Sequence, residues 1–85
     1  MKVLIPSPLR SYTKLREIDV AATTLGDLLA ELDRRFPGLR FRMIDEQDEM
    51  RPHIRFFVNG DQVFDLKLAL QASDELQILQ ALSGG

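Results

Sequence analysis

Thr24-Leu25-Gly26-Asp27-Leu28-Leu29-Ala30-Glu31-Leu32-Asp33-Arg34-Arg35-Phe36-Pro37-Gly38 is the stretch on which the fold turns. Within it Leu25, Leu28, Leu29, Leu32 and Phe36 fall at i, i+3, i+4, i+7 and i+11. That spacing puts them on one stripe of an amphipathic helix. Thr24 is a side-chain N-cap. Asp27, three residues on, makes a variant of the capping box and complements the positive end of the helix dipole. Pro37-Gly38 stops the helix. A lone helix with one apolar stripe needs a flat apolar partner, which is a sheet with one greasy face.

The flanking segments read as that sheet. Residues 2–6 alternate, with Val3 and Ile5 on one face and Lys2 and Leu4 on the other, and Pro6 and Pro8 either stop the strand or confine it to an edge. Residues 15–21 alternate likewise, Ile18 and Val20 against Glu17 and Asp19. After a long connection over 40–53, with a short helical turn expected around 41–44, Ile54-Arg55-Phe56-Phe57-Val58 is a strand. Asn59-Gly60 is a strong hairpin signal, and 62–64 return. Leu66, Leu68 and Leu70 lie in an irregular stretch, Ser73-Asp74 turns the chain, and 75–82 form the last strand. The first two strands pair as a hairpin and the last crosses back beside the first. The expectation is an α+β chain with a mixed sheet of four to five strands clasping one main helix, a β-grasp or ubiquitin-like layout.

Composition narrows the function. A chain of 85 residues is one domain, and at that size it buries only about 60–65% of its unfolded surface, so the core is thin. The formal net charge of −2 argues against a nucleic-acid binder. There is no cysteine, which excludes disulfides, thiolate catalysis, zinc–thiolate sites and iron–sulfur ligation by this chain. No apolar run approaches the roughly 20 residues a membrane helix needs. Met1-Lys2-Val3-Leu4-Ile5-Pro6 is too short and broken for a secretory signal. A cytoplasmic location is expected.

Four stretches together resemble the MoaD/ThiS family of ubiquitin-like sulfur carriers. They are Thr24-Leu25-Gly26-Asp27-Leu28-Leu29 with Phe36-Pro37-Gly38-Leu39; Phe57-Val58-Asn59-Gly60-Asp61; Leu70 with Ser73-Asp74-Glu75-Leu76; and Gly84-Gly85. Ile5-Pro6-Ser7 with Leu9-Arg10, and Arg51-Pro52-His53, look nearest to the branch serving cysteine biosynthesis. Two positions depart from the family's pattern. Ser73 stands where Gly is usual, which would strain the backbone if that position needs positive φ. Gln80 stands where Pro is frequent, so the tail's exit path is expected to differ.

The resemblance implies that the chain is a protein cosubstrate rather than an enzyme. The expected division is a β-grasp domain at 1–82 and a flexible diglycine tail at 83–85. Gly85 would be adenylated by an activating enzyme of the MoeB/ThiF type, with ATP used there and no cofactor held by this chain. A sulfur donor would then convert the adenylate to a thiocarboxylate for a sulfur-accepting biosynthetic enzyme. Cysteine, molybdopterin (molybdenum cofactor), thiamin or related thio-metabolite synthesis are the candidate destinations. In the molybdopterin case the chain would be the small subunit of a heteromeric synthase. Two glycines fit this chemistry because, lacking Cβ, they thread a narrow channel and leave the carbonyl unshielded.

Partner contact is expected from Leu79, Ala81, Leu82 and Ser83 beside the tail and from Phe57. In the last strand Leu76 and Ile78 share the core face, which leaves Gln77, Leu79 and Ala81 on the other. Phe57 opposes Phe56 in the same way, and Leu4 is ambiguous. Exposed apolar groups near one edge mark binding sites. His53, the only histidine, reads as a loop residue, and the acidic run at 45–49 as a solvated loop without calcium-loop spacing. The cluster Arg34, Arg35, Arg40 and Arg42 reads as a solvated helix end and loop. Arg51 and Arg55 could meet an anionic partner, but nothing in the sequence singles them out. Two other readings stay open: a ubiquitin-like modifier conjugated through Gly85, and a β-grasp interaction domain with an inert tail.

Overall fold

The computed structural model describes residues 1–81. In chain order these form β1 (Lys2–Leu4), a 3-10 turn (Ser7–Leu9), α1 (Arg10–Thr13), β2 (Glu17–Asp19), α2 (Leu25–Arg35), α3 (Leu39–Met43), β3 (Ile54–Val58), β4 (Asp61–Val63) and β5 (Glu75–Gln80). The sheet order is β2-β1-β5-β3-β4. Only β1 and β5 run parallel; the other neighbours are antiparallel. The last strand therefore lies at the centre, beside the first, in a five-stranded mixed sheet. This is the β-grasp expected from the patterning.

Packing follows the period-two alternation of the strands and the 3.6-residue period of α2. Val3, Ile18, Val20, Ile54, Phe56, Leu76 and Ile78 are buried under Leu25, Leu28, Leu29 and Leu32 of the helix. α3 adds Leu39 and Met43, and Ile44 follows them into the core. The expected helical turn at 41–44 is thus a five-residue helix that begins earlier, at Leu39. Phe36, the last member of the apolar stripe, is the C-cap and only half-buried.

The start of α2 differs from the capping box in one respect. The Thr24 hydroxyl accepts from the Asp27 N–H at 3.1 Å. The Asp27 carboxylate, though, takes the Thr23 hydroxyl at 3.0 Å instead of reaching back to the Thr24 amide. The remaining N-terminal amides are met from the distant stretch that looked irregular. Leu25 N–H donates to the Leu68 carbonyl at 3.0 Å and Gly26 N–H to the Leu66 carbonyl at 2.8 Å. A Cβ at Gly26 would stand 3.1 Å from that same Leu66 oxygen, so the close approach explains the glycine. Leu70 N–H donates to the Thr23 carbonyl at 2.9 Å, closing the clamp.

Other differences are local. β1 and β2 pair antiparallel as expected, and a 3-10 turn and α1, which the patterning did not foresee, join them. β2 is shorter than 15–21 because the ladder to β1 ends at Glu17 and Asp19. At the second hairpin Asn59 and Gly60 have φ of 51° and 89°, the pair of positive values a type I′ turn demands. β4 starts one residue earlier than expected, and Phe64 falls outside it, 73% exposed. Ser73 is not among the positive-φ residues, so its replacement of glycine carries no such strain. The expected domain boundary between 82 and 83 lies outside the described residues.

Candidate partner-docking face

The helix covers one face of the sheet and leaves the other bare. Across that bare face the register aligns one residue from every strand: Glu17, Leu4, Gln77, Phe57 and Gln62. Leu79 sits two residues beyond Gln77, directly across from Arg55. Leu4 and Phe57 are therefore the two cross-strand neighbours of Gln77, and Leu79 is their diagonal neighbour, a separation that long side chains span. Leu4 and Phe57 are half-buried and Leu79 is 39% exposed. The alternation that put Phe56 fully inside put Phe57 on this surface. The result is a small apolar triangle on an otherwise polar face.

Two of the residues expected at the partner surface, Leu79 and Phe57, are brought onto the same face. Ala81 is exposed just past the end of β5, its N–H donating to the His53 carbonyl at 2.8 Å. That bond holds the last described residue against the start of β3. Leu82, Ser83, Gly84 and Gly85 lie outside the described residues.

The far end of the strands is fixed by a polar clamp. Asn59 Nδ2 donates to the Asp74 carboxylate at 2.8 Å, while its Oδ1 accepts from the Glu75 N–H at 2.9 Å. Asp74 also accepts from the Gln71 N–H at 2.8 Å. The backbone amide of Gln71, then the Asn59 amide, hold the Asp74 carboxyl below its ordinary range. Asn59 thus does two jobs, making the turn and tying it to the start of β5. At the same end the terminal ammonium of Met1 lies 2.9 Å from Asp19, and Lys2 lies 3.7 Å from Glu17 and 3.9 Å from Glu75. The Asp19 carboxyl is correspondingly lowered by the hydrogen bond and charge of that ammonium.

The opposite end, where β5 finishes, is built differently. Arg10 and Arg16 share a hollow with Gln77, Ile78 and Leu79. Arg10 Nε donates to the Ile5 carbonyl at 3.0 Å, which fixes its direction. Arg55 donates to the Pro52 and Ile54 carbonyls. Arg51 donates to the Phe41 carbonyl at 2.6 Å and stacks 4.5 Å above the Phe41 ring. Sequence reasoning passed over Arg10 and Arg16 as surface-forming residues, because only the parallel β1–β5 pairing carries them to Leu79. Among the described residues no group of three or more His, Asp or Glu side chains is arranged to hold a metal ion. No described helix is long and apolar enough to cross a membrane.

A helix-clasping sheet with its final strand at the centre and a bare face beside that strand's end defines the ubiquitin-like small carrier and modifier proteins. Residues 3–85 match the ThiS family, and the chain belongs to that family. Small archaeal modifier protein 3 of Haloferax volcanii is 34% identical over 65 residues, covering 73% of this chain and 70% of the relative. Among solved structures, CysO in the Amycolatopsis orientalis BexX/CysO complex superposes with a TM-score of 0.90 at 26% identity, covering 99% of this chain and 98% of that one. SAMP1 of Haloferax volcanii superposes with a TM-score of 0.80 at 31% identity, covering 100% and 98%. Members of this group are small carriers or modifiers, not catalysts.

Proposed function

We propose that this chain is a sulfur carrier, a protein cosubstrate whose Gly85 is activated and loaded by other enzymes. The observation that carries the reading is membership of the ThiS family over a span that includes Gly84-Gly85. The central position of β5 supports it, since the segment leading to those glycines is anchored by ladders on both sides. A carboxylate at neutral pH is a poor electrophile. Attack by its oxygen on the α-phosphorus of ATP, with loss of pyrophosphate, makes a mixed anhydride whose leaving group is AMP. A sulfur donor then attacks the acyl carbon, AMP departs, and the terminus holds a thiocarboxylate. ATP is used by the activating partner, a MoeB/ThiF-type enzyme, and this chain binds no cofactor of its own. The thiocarboxylate sulfur then passes to a biosynthetic acceptor, with cysteine, molybdopterin and thiamin synthesis as the candidate pathways. Gly84 and Gly85 carry the chemistry; Leu79, Ala81, Leu82, Ser83 and Phe57 meet the partner.

A second reading is favoured by the small archaeal modifier relatives: conjugation of Gly85 to a lysine of another protein. Both begin with the same adenylate and differ in the nucleophile. Incubation with the cognate activating enzyme, ATP and sulfide, followed by intact mass, separates them. Replacement of one oxygen by sulfur at Gly85 is the expected product, and a chain lacking Gly84-Gly85 should give none. A branched peptide joining Gly85 to lysine, without the sulfur product, would replace the carrier reading with the modifier reading. An unchanged mass in the presence of an active enzyme would overturn both.

A further inference from the structure

The molecule carries a charge polarity along its strands that the net charge hides. At the end of the sheet where β5 begins stand Asp19, Asp61, Asp74 and Glu75, with Lys2 and the terminal ammonium engaged among them. At the end where β5 finishes stand Arg10 and Arg16 on the β1 side and Arg51 and Arg55 on the β3 side. None of these four arginines forms an ion pair with a carboxylate among the described residues, whereas Arg34, Arg35 and Arg40 on the helical side do. Glu17 is the nearby acid, and it is engaged by Lys2. Arg10, Arg51 and Arg55 each donate to backbone carbonyls. Those bonds hold the guanidinium groups in place; Asp45 faces Arg51, while Arg10 and Arg55 form no ion pair among the described residues.

We infer that the collar made by Arg10, Arg16 and Arg55, with Leu79 among them, docks onto an acidic rim around the tail-accepting channel of the activating enzyme. The inference rests on the carrier reading only for the identity of that partner. Charge complementarity selects the occupant. Three guanidiniums without a carboxylate ion-pair partner among the described residues, those of Arg10, Arg16 and Arg55, flank the end of β5, so any partner that takes the tail must face them. A neutral or basic rim would leave them desolvated without counter-charge, which is costly. An acidic rim gains from them, and the opposed acidic pole orients the approach so that the tail end arrives first. Leu79 and Phe57 supply the apolar contact inside the charged ring, the arrangement of a buried anchor within a polar border.

The test uses the full-length chain and the cognate activating enzyme, with binding measured by calorimetry and adenylation by pyrophosphate release. For the double variant Arg16→Glu/Arg55→Glu the affinity should fall on the order of a hundredfold, roughly tenfold per reversed charge, since rim charges act mainly through association and its salt dependence. KM should rise to match while kcat is kept. Wild-type binding should weaken as salt is raised, and the double variant should lose most of that dependence. Arg34→Glu, the same charge change at the end of α2 away from the collar, should behave as wild type, and thermal melts should confirm that every variant folds. Wild-type affinity in the double variant, or salt-independent binding by the wild type, would overturn the docking inference and leave the carrier reading intact. A collar that binds transfer RNA in a salt-dependent way but not the enzyme would also overturn it. A wild-type chain that neither binds nor is adenylated would remove both.

Discussion

The two faces of the sheet are made by the same strands and serve opposite ends. On the covered face, Phe56 and Ile78 sit across from each other with essentially no exposure. On the bare face, one residue further along each strand, Phe57 and Leu79 keep part of their surface in water. An apolar side chain contributes to folding only to the extent that burial removes it from water. The covered pair therefore belongs to stability, and the outer pair keeps surface for the partner contact proposed above. In a domain this small the division is sharp, because the described residues form no third layer to bury a second face.

Paired truncations break or sharpen that contrast most strongly. Phe56→Ala should cost about 3–5 kcal/mol, near the whole stability of a small domain, whereas Phe57→Ala should cost about 1 kcal/mol or less. Ile78→Ala and Leu79→Ala should split the same way, at about 2–5 kcal/mol against about 0.5 kcal/mol. Chemical denaturation midpoints measure these values. The outer variants should bind the activating enzyme more weakly while melting almost normally. Equal costs on both faces would remove the distinction.

A middle-sized effect tests the two ends of the strands. Asn59→Ala removes a side chain that bonds both Asp74 and the Glu75 amide, and puts a residue less suited to positive φ at 51°. A loss of about 1–2 kcal/mol is expected from the clamp and the turn together. Enzyme binding should be untouched, because the clamp lies at the pole away from the arginine collar. Denaturation and calorimetry on the same sample check both halves.

The smallest effect is that of acid. Glu31 has its carboxyl lowered to about 2, first by the hydrogen bond from Arg34 and then by that from Arg35. Asp45, bonded by the Glu49 and Gln47 amides, is lowered as well, along with Asp74 and Asp19. A carboxyl whose folded pKa is depressed contributes stability above its unfolded pKa and loses it as pH falls through the folded value. Stability should therefore be level near neutrality, decline below about pH 4.5, the ordinary glutamate range, and keep falling toward pH 2. Melts of wild type and Glu31→Gln across that window measure it. The variant should show a slightly shallower decline, since the pair lies at the surface with the Arg34 side chain 71% exposed, where water screens it.

Much of this protein was written in local pattern. The stripe of four leucines fixed α2, alternation fixed β3 and both faces of β5, and Asn59-Gly60 fixed the turn, because each depends on neighbours within a few residues. The same alternation named Phe57 and Leu79 as outward-facing. What sequence alone did not contain were the juxtapositions made by the parallel pairing of β1 with β5. That crossover brings Arg10 and Arg16 beside Leu79 from more than sixty positions away. The antiparallel β3–β5 ladder likewise sets Asn59 against Asp74, and the return of the 66–70 stretch to Thr24 lets it cap α2. Periodicity reports which way a side chain faces relative to its own backbone; which distant side chain it meets is decided only when the sheet closes.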